Sequence, residues 1–350
     1  MGMPSRKCVL TFTGGPSKTK FMAERKTKAQ RPLRLALTGA HTFLGRRLIE
    51  RMEADPNCSH ILVLDIEPSD VSGAKSRFVR LDLTHPLADG RAAQALVEDE
   101  IDVLCHLAFL AIPSHSSSWA HELEAIGSLY VMNAAAEAKV KKVILSSTTM
   151  VYGAYPDNPN FLTEQHAMRG QPASRWIRDK IVAERELSRL QKDRPEIITT
   201  ALRFGMTLGP TIRNFHTRVF RRQLLPRIMG YNPLMQFLHE DDAEQALVQA
   251  IKEDHPGAYN IVGSGVIPYT NILAIGHRFG VPLPHGFAYS AASLLWNMQL
   301  VDTPGKFLDY FRFTWLADDR KMREKMKFEP EYSSRDTLVT FYGRDDLEVD

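Results

Sequence analysis

The first chemistry this sequence offers lies in a glycine-rich turn. The run Thr38–Gly39–Ala40–His41–Thr42–Phe43–Leu44–Gly45 follows a short apolar stretch and opens a segment of helical spacing. In that setting Gly39 makes the tight turn, and Gly45 lets the helix pack on its strand. The N–H groups of Thr42, Phe43, Leu44 and Gly45 then lie at a helix N-terminus, where free donors and the positive dipole end suit a pyrophosphate. Asp65 ends the next strand, 26 residues after Gly39. A carboxylate there accepts hydrogen bonds from both adenosine-ribose hydroxyls and repels a 2′-phosphate, so NAD is expected rather than NADP. Arg46 and Arg47 oppose that preference in part. The same glycines also fit an ordinary strand–helix turn that needs them for geometry alone.

Metal and disulfide chemistry find no pattern. Cys8, Cys58 and Cys105 are scattered, and no CxxC or Cys/His spacing exists. A reduced, cytoplasmic protein without a metal is expected. His239 with Asp241 and Asp242 reads as a strand-end capping network, and His106 as a hydrogen-bonded core histidine. Gly14–Gly15–Pro16–Ser17–Lys18 lacks the GxxxxGK[ST] spacing of a phosphate loop.

The turn needs elements to hold it, and apolar runs supply them. Strands are expected at Leu33–Leu37, His60–Asp65, Phe78–Leu83, Val103–Ala108, Val143–Thr148 and Ile197–Phe204. Helices are expected over Gly39–Ala54, Arg91–Asp99, His121–Ala138 and Arg175–Leu190. Near-continuous apolar strands alternating with helices predict an α/β fold, a doubly wound parallel sheet covered on both faces. After Gly209 the alternation fails, apart from strand-like segments at Gln236–His239 and Ala258–Val262. The expected organisation is a disordered basic tail over 1–32 and a dinucleotide-binding Rossmann domain over 33–210 that also receives 236–265. A smaller substrate-binding lobe takes 211–235 and 266–350.

Charge agrees with that division. The chain of 350 residues is 44% apolar and 24% charged, an ordinary globular balance. Its net charge of +3 hides a tail: residues 1–34 hold nine Lys/Arg against Glu24, which leaves −5 for residues 35–350. The body therefore lacks a nucleic-acid signature. No apolar segment follows the tail's charges as in a secretory signal, and Met22 is a candidate start. Residues 211–235 are basic and fit either a diphosphate or a solvated face. Residues 279–301 contain no Asp, Glu, Lys or Arg. Pro282, Pro284, Gly286, Asn297 and Gln299 argue against a membrane span, so a buried loop followed by a helix over Ala288–Leu300 is expected. A helix that touches a membrane is the alternative.

Seven motifs in order resemble one family. TGAHTFLG resembles the TGxxGxxG of extended short-chain dehydrogenase/reductases, the NAD-dependent epimerase/dehydratase family that works mostly on nucleotide sugars. Arg80–Leu81–Asp82–Leu83 resembles its third-strand motif, whose Asp caps the adenine. His106–Leu107–Ala108 resembles its HLA motif beside the cofactor, and Ser146–Gly153 its SSxxxVYG. Leu202–Arg203–Phe204 with Gly209–Pro210, Phe237–Ala243, and Tyr259–Gly263 resemble its later motifs. The resemblance implies NAD binding by Gly39, Thr42, Phe43, Leu44, Gly45, Asp65, Asp82, Leu83, Leu107, Ala108 and Lys180. It implies a catalytic hydroxyl at Thr148, with Ser147 as the alternative, and a YxxxK lysine at Lys180. It also implies a homodimer built on the helices His121–Ala138 and Arg175–Leu190.

Four positions depart from the pattern. Trp176 occupies the place of the YxxxK tyrosine, and an indole N–H can neither accept nor return a proton near neutral pH. Tyr152 and Tyr155 lack a lysine at the right spacing. Thr42 replaces the middle glycine, where its hydroxyl could donate to a phosphate instead. Glu124 stands where the family has an active-site Asn, and Met206 where an Asn holds the sugar nucleotide's diphosphate. Two readings follow: a diverged or weakly active oxidoreductase or epimerase acting on a small molecule such as a nucleotide sugar, or a catalytically inactive cofactor-binding pseudoenzyme that serves as sensor or partner subunit. A third, a fold remnant that binds no dinucleotide, would follow if Thr42 closed the pocket.

Overall fold

A computed structural model describes residues 1–2, 31–171, 173–301 and 303–343. The basic tail, Met22 and Cys8 lie outside them, apart from the tail's first and last residues. From residue 32 onward the chain alternates as its apolar runs require. The order is β1 (Leu33–Thr38), α1 (Phe43–Ala54), β2 (Cys58–Asp65), β3 (Ser76–Arg80), α2 (Ala88–Glu98), β4 (Val103–His106), α3 (Ser117–His121), α4 (Gly127–Ala138), β5 (Lys142–Thr148), α5 (Arg175–Asp193) and β6 (Ile198–Phe204). Then come β7 (Met206–Leu208), α6 (Phe215–Phe220), β8 (Leu224–Ile228), β9 (Leu234–Met235), β10 (Phe237–His239), α7 (Glu240–Lys252), β11 (Gly257–Ile261), β12 (Ile267–Pro268), α8 (Tyr269–Ile275), β13 (Phe279–Leu283), α9 (His285–Asn297) and α10 (Ser334–Gly343).

Seven strands form one parallel sheet in the order β3-β2-β1-β4-β5-β6-β11. Strand side chains alternate between its faces. Leu35, Leu37, Ile61 and Val63 pack with Leu48, Ile49 and Met52 of α1 and Ala246, Leu247 and Ala250 of α7. Ala36, Leu62 and Leu64 pack on the other face with apolar residues of α2, α4 and α5. Both faces are thus apolar, which is why these strands read as unbroken hydrophobic runs. The chain reverses direction across the sheet between β1 and β4, the point where such folds open a crevice at the strands' carboxyl ends.

Two segments differ from expectation. The helix expected over His121–Ala138 is interrupted by a π-helical turn, Glu122–Ile126. The wide turn carries Glu124 inward, and burial of that side chain is complete. The segment 279–301 is not a buried loop leading to a helix. β13 pairs in parallel with β8, α9 follows directly, and most of both is exposed. Absence of charge does not mean burial here, for α9 packs along one side, against the 3₁₀ segment Gly305–Phe311 and His115.

A buried ion pair ties two sheet strands to a covering helix. Arg203 on β6 donates to Glu184 on α5 through Nη2 at 2.7 Å and Nε at 3.0 Å. Ser147 at the end of β5 also donates to Glu184, and Arg203 donates to the Tyr152 hydroxyl at 2.8 Å. Both charged side chains are almost fully buried. Glu184→Ala would strand the guanidinium, so unfolding stability should fall by about 3–5 kcal/mol, read as a lower denaturant midpoint at an unchanged slope.

Candidate functional site

The glycine turn closes the site from the β1 side. Gly39 has φ +78°, and a Cβ there would lie 2.5 Å from the backbone of Leu107 and Ala108 at the end of β4. A Cβ on Gly45 would lie 2.1 Å from the Gly39 carbonyl oxygen. Both positions therefore demand glycine. Thr42 is the N-cap of α1: its Oγ accepts from the Gly45 N–H at 3.1 Å and donates to the Gly39 carbonyl at 2.8 Å. The hydroxyl proton is thus committed to the turn rather than free for a phosphate. Phe43 and Leu44 open the helix beside it and line the cleft.

Asp65 lies alongside at the carboxyl end of β2. Its Oδ2 accepts from the Ala40 N–H and its Oδ1 from the Ile66 N–H, both at 2.7 Å. Each oxygen keeps a lone pair for a further donor. Asp82, exposed after β3, accepts from the N–H and hydroxyl of Thr84 at 2.9 and 2.7 Å. Those bonds pull its pKa below the usual carboxylate range. It caps its own turn, and Leu83 beside it is buried. His106 is fully buried between the Thr38 hydroxyl (2.7 Å) and the Ser128 hydroxyl (2.8 Å). Burial, helped by the charge of Lys180, pushes its pKa down to about 3. It is a neutral core residue.

Two of the four departures, Trp176 and Glu124, meet at the opposite end of the cleft. Trp176 opens α5, capped by the Ser174 hydroxyl, and is 8% exposed. Its indole N–H donates to the Leu110 carbonyl at 3.0 Å. Phe307 stacks beside it at 6.2 Å, and Phe215 meets it edge-on at 5.9 Å. Lys180, one helical turn on, reaches Glu124 Oε1 at 2.9 Å. Its ammonium also lies over the rings of Phe109 and Trp176, at 4.7 and 4.8 Å. Glu124 Oε1 accepts from the Leu110 N–H at 2.7 Å, while Oε2 has no partner. Burial pushes the Glu124 pKa up, against the pull of Lys180. Both substituted side chains therefore grip one residue: Glu124 takes the N–H of Leu110, and Trp176 takes its carbonyl.

No tyrosine stands in. The Tyr152 hydroxyl is buried and donates to Asn260 at 2.7 Å, with its pKa pushed up to about 12 by burial. The Tyr155 hydroxyl donates to the Gly170 carbonyl at 2.9 Å. Thr148 lines the cleft and also caps the following 3₁₀ turn, accepting from the Met150 N–H at 3.3 Å. His239 caps α7 and stacks on Tyr332 at 3.8 Å, while Asp242 accepts the N–H groups of Glu331 and Tyr332.

The cleft these groups enclose measures about 240 Å³, just below the usual range of about 300–1,000 Å³ for ligand pockets. The indole of Trp176 occupies part of it. Lys180, Thr148, Leu107 and the Thr42–Leu44 turn meet there. The loop after β7 adds Arg213 and Asn214, and α6 adds Phe215 and His216. The Arg213 guanidinium donates to the Pro210 and Ile212 carbonyls. The other basic residues of 211–235 lie outside the cleft. Met206 is buried in β7 and does not line it. A larger open cleft of about 1010 Å³ between α1 and α7 is lined by Arg47 and Asp241 but by none of the glycine-turn residues, Thr148, Trp176 or Lys180.

A dinucleotide would meet two different ends here. Backbone packing leaves no room for a Cβ at Gly39 or Gly45, beside Asp65 and the α1 N-terminus, whereas Trp176 narrows the far end and Lys180 is paired with Glu124.

Relatives share this architecture. An uncharacterized protein of Mycobacterium bovis is 27% identical over 320 residues, covering 89% of this chain and 84% of its own. Its counterpart in Mycobacterium tuberculosis matches equally. Among solved structures, MoeE5 in complex with UDP-glucuronic acid and NAD superposes with a TM-score of 0.68 at 20% identity, over 90% of this chain and 99% of that one. UDP-glucuronic acid 4-epimerase from Bacillus cereus, in complex with NAD, gives 0.67 at 18%, over 91% and 100%. Identities this low establish the shared fold alone. The model of the NAD dependent epimerase/dehydratase family matches residues 35–262. That span runs from β1 through the seventh sheet strand and takes in both the glycine turn and the altered helix: the chain belongs to the NAD dependent epimerase/dehydratase family.

Proposed function

We propose that this chain binds NAD at the carboxyl ends of β1, β2 and β4 and holds it without the family's usual proton transfer, as a cofactor-binding pseudoenzyme that senses the dinucleotide or acts as a partner subunit. The observation that carries this reading is the double grip on Leu110. The Trp176 N–H is spent on one end of that peptide residue and Glu124 on the other, while Glu124 also holds Lys180. NAD, when bound, supplies a hydride donor or acceptor at its nicotinamide ring. The chain's part is to bind the pyrophosphate at the Phe43 and Leu44 N–H groups, since those of Thr42 and Gly45 are bonded within the turn, and the adenosine ribose at Asp65. A proton must accompany hydride transfer, and neither Trp176 nor the paired Lys180 handles one. Loss of a positioned acid/base costs about 10²–10⁴ in rate, or ~3–5 kcal/mol of barrier. Neighbours of the same fold bound to UDP-sugars support a nucleotide sugar as the second ligand's class. A homodimer through α4 and α5, which pack side by side, and a cytoplasmic location belong to the same reading.

One observation favours the second reading, a diverged oxidoreductase. His216 lines the cleft, its Nε2 has no hydrogen-bond partner, and burial pushes its pKa down to about 4. A neutral imidazole there is a base in waiting, with Thr148 across the cleft as a hydroxyl.

Titration with NAD⁺ and NADH should raise the thermal midpoint of the protein, because a ligand of the folded state alone stabilises it by linkage. Absence of any shift at saturating millimolar cofactor would leave a fold remnant. Glu124→Asn should lower the midpoint of the free chain by exposing Lys180 to burial without a partner. The same change should strengthen NAD binding by about tenfold through the freed ammonium. With UDP-glucose and UDP-glucuronic acid as probes, the wild type should show no NAD reduction or epimerisation. Trp176→Tyr combined with Glu124→Asn should raise turnover by about 10²–10⁴. Wild-type turnover that His216→Ala abolishes would establish the diverged enzyme instead.

A further inference from the structure

Within the lobe expected over 211–235 and 266–350, the segments 211–235 and 266–301 leave apolar side chains in water that a globular protein normally covers. Nine of the sixteen large apolar residues exposed among the described residues fall between Leu224 and Leu300. They are not scattered. On α9, Ala288, Tyr289, Ala292 and Trp296 form the side turned to the protein: Ala288 is buried, the Tyr289 hydroxyl donates to Asp309, and Trp296 stacks on His115 at 3.9 Å. Phe287, Ala291, Leu294 and Met298 follow at i, i+4, i+7 and i+11, a stripe on the reverse side. Phe287, Leu294 and Met298 are 66%, 59% and 58% exposed. The two strands that lead into α9 repeat the pattern, for Leu224 of β8 and Phe279 of β13 are register partners and both exposed.

Charge says what covers this surface. Residues 197–239 and 255–301 contain no Asp or Glu, and between them carry Arg213, Arg218, Arg221, Arg222, Arg227 and Arg278 beside the buried Arg203. Arg227 is exposed on β8 amid the apolar positions. The exposed Lys306, on the segment that α9 packs against, lies over the Tyr289 ring at 5.5 Å. Residues 35–350 as a whole are acidic, so cations and bare hydrocarbon are concentrated in these segments. A protein partner with an apolar face would need no such bias. An anionic bilayer surface needs both features together: hydrocarbon to enter the acyl boundary and cations to meet the headgroups.

We infer that this lobe is an interfacial membrane-docking surface, with α9 lying in the plane of an anionic bilayer and its Phe287–Met298 stripe entering the headgroup boundary. The helix has 13 residues, too short to span, and no helix among the described residues is long and apolar enough to cross a membrane. Docking brings the bilayer beside a second cavity of about 410 Å³, which His115 and Trp296 line together with Arg175 and Trp176.

The test is vesicle co-sedimentation of the full chain. Vesicles of equal parts phosphatidylcholine and phosphatidylglycerol should bind it at low salt, about tenfold more tightly than phosphatidylcholine alone. The double variant Leu294→Ser/Met298→Ser should weaken binding by about tenfold or more while leaving the thermal midpoint unchanged. Phe279→Ser, on a separate element, should weaken it in the same direction. The basic N-terminal stretch attracts anionic vesicles on its own, so binding that none of these substitutions alters would overturn the inference. Failure to bind either vesicle would overturn it too. So would sedimentation equilibrium showing that the double variant splits a dimer while vesicles do not bind, which would assign the surface to a second copy of this chain.

Discussion

An ammonium and a carboxylate held 2.9 Å apart, both almost without water, govern the reactive end of this cleft. Removing two charges from water costs several kcal/mol per ion, and only good geometry with added hydrogen bonds offsets it. Here the Leu110 N–H supplies one such bond and two aromatic faces shield the ammonium, yet one carboxylate oxygen stays unpartnered. The arrangement holds only if three elements agree. The π-helical turn must push Glu124 inward, α5 must start at Ser174 so that Lys180 faces β4, and the chain after β4 must present Leu110. Trp176 closes the set by binding the carbonyl of that same residue. Two departures from the family pattern, far apart in sequence, thus amount to one structural change.

The scaffold around the pair is unaltered, and its geometry explains why. The sheet reverses between β1 and β4, and the backbones there approach so closely that Gly39 tolerates no Cβ. Gly45 is constrained by the carbonyl of Gly39. These requirements belong to the turn itself, whether or not chemistry follows. Thr42 shows how a substitution is absorbed there: its hydroxyl becomes a helix cap, which a glycine at that position would not provide. The glycine turn and the Trp176 end of the cleft are therefore physically separable. One is held by backbone packing, the other by a side-chain network.

The uncharged segment teaches a complementary lesson. A run without Asp, Glu, Lys or Arg reads equally as core or as interface, since both exclude charge. What separates them is how many sides of the element find a neighbour. α9 finds one. Its second apolar stripe has the same residue types and the same helical spacing as a buried one, so only the position of the surrounding chain distinguishes the two.

The sequence by itself determined the sheet, the glycine turn and the place of Asp65. These rest on local causes: unbroken apolar runs make buried parallel strands, and glycine is required where backbones touch. Trp176 was also legible, because a residue type incapable of proton transfer needs no structure to be recognised. Tertiary structure alone decided what surrounds Trp176. Glu124 and Lys180 are 56 positions apart, and no spacing rule links them. The π-helical turn that aims Glu124 is hidden in an ordinary alanine-rich helical pattern. His216 carried no signal beyond its type, since its importance comes from the cleft that folding wraps around it. Contacts that depend on separate elements meeting in space are written in no single stretch of chain.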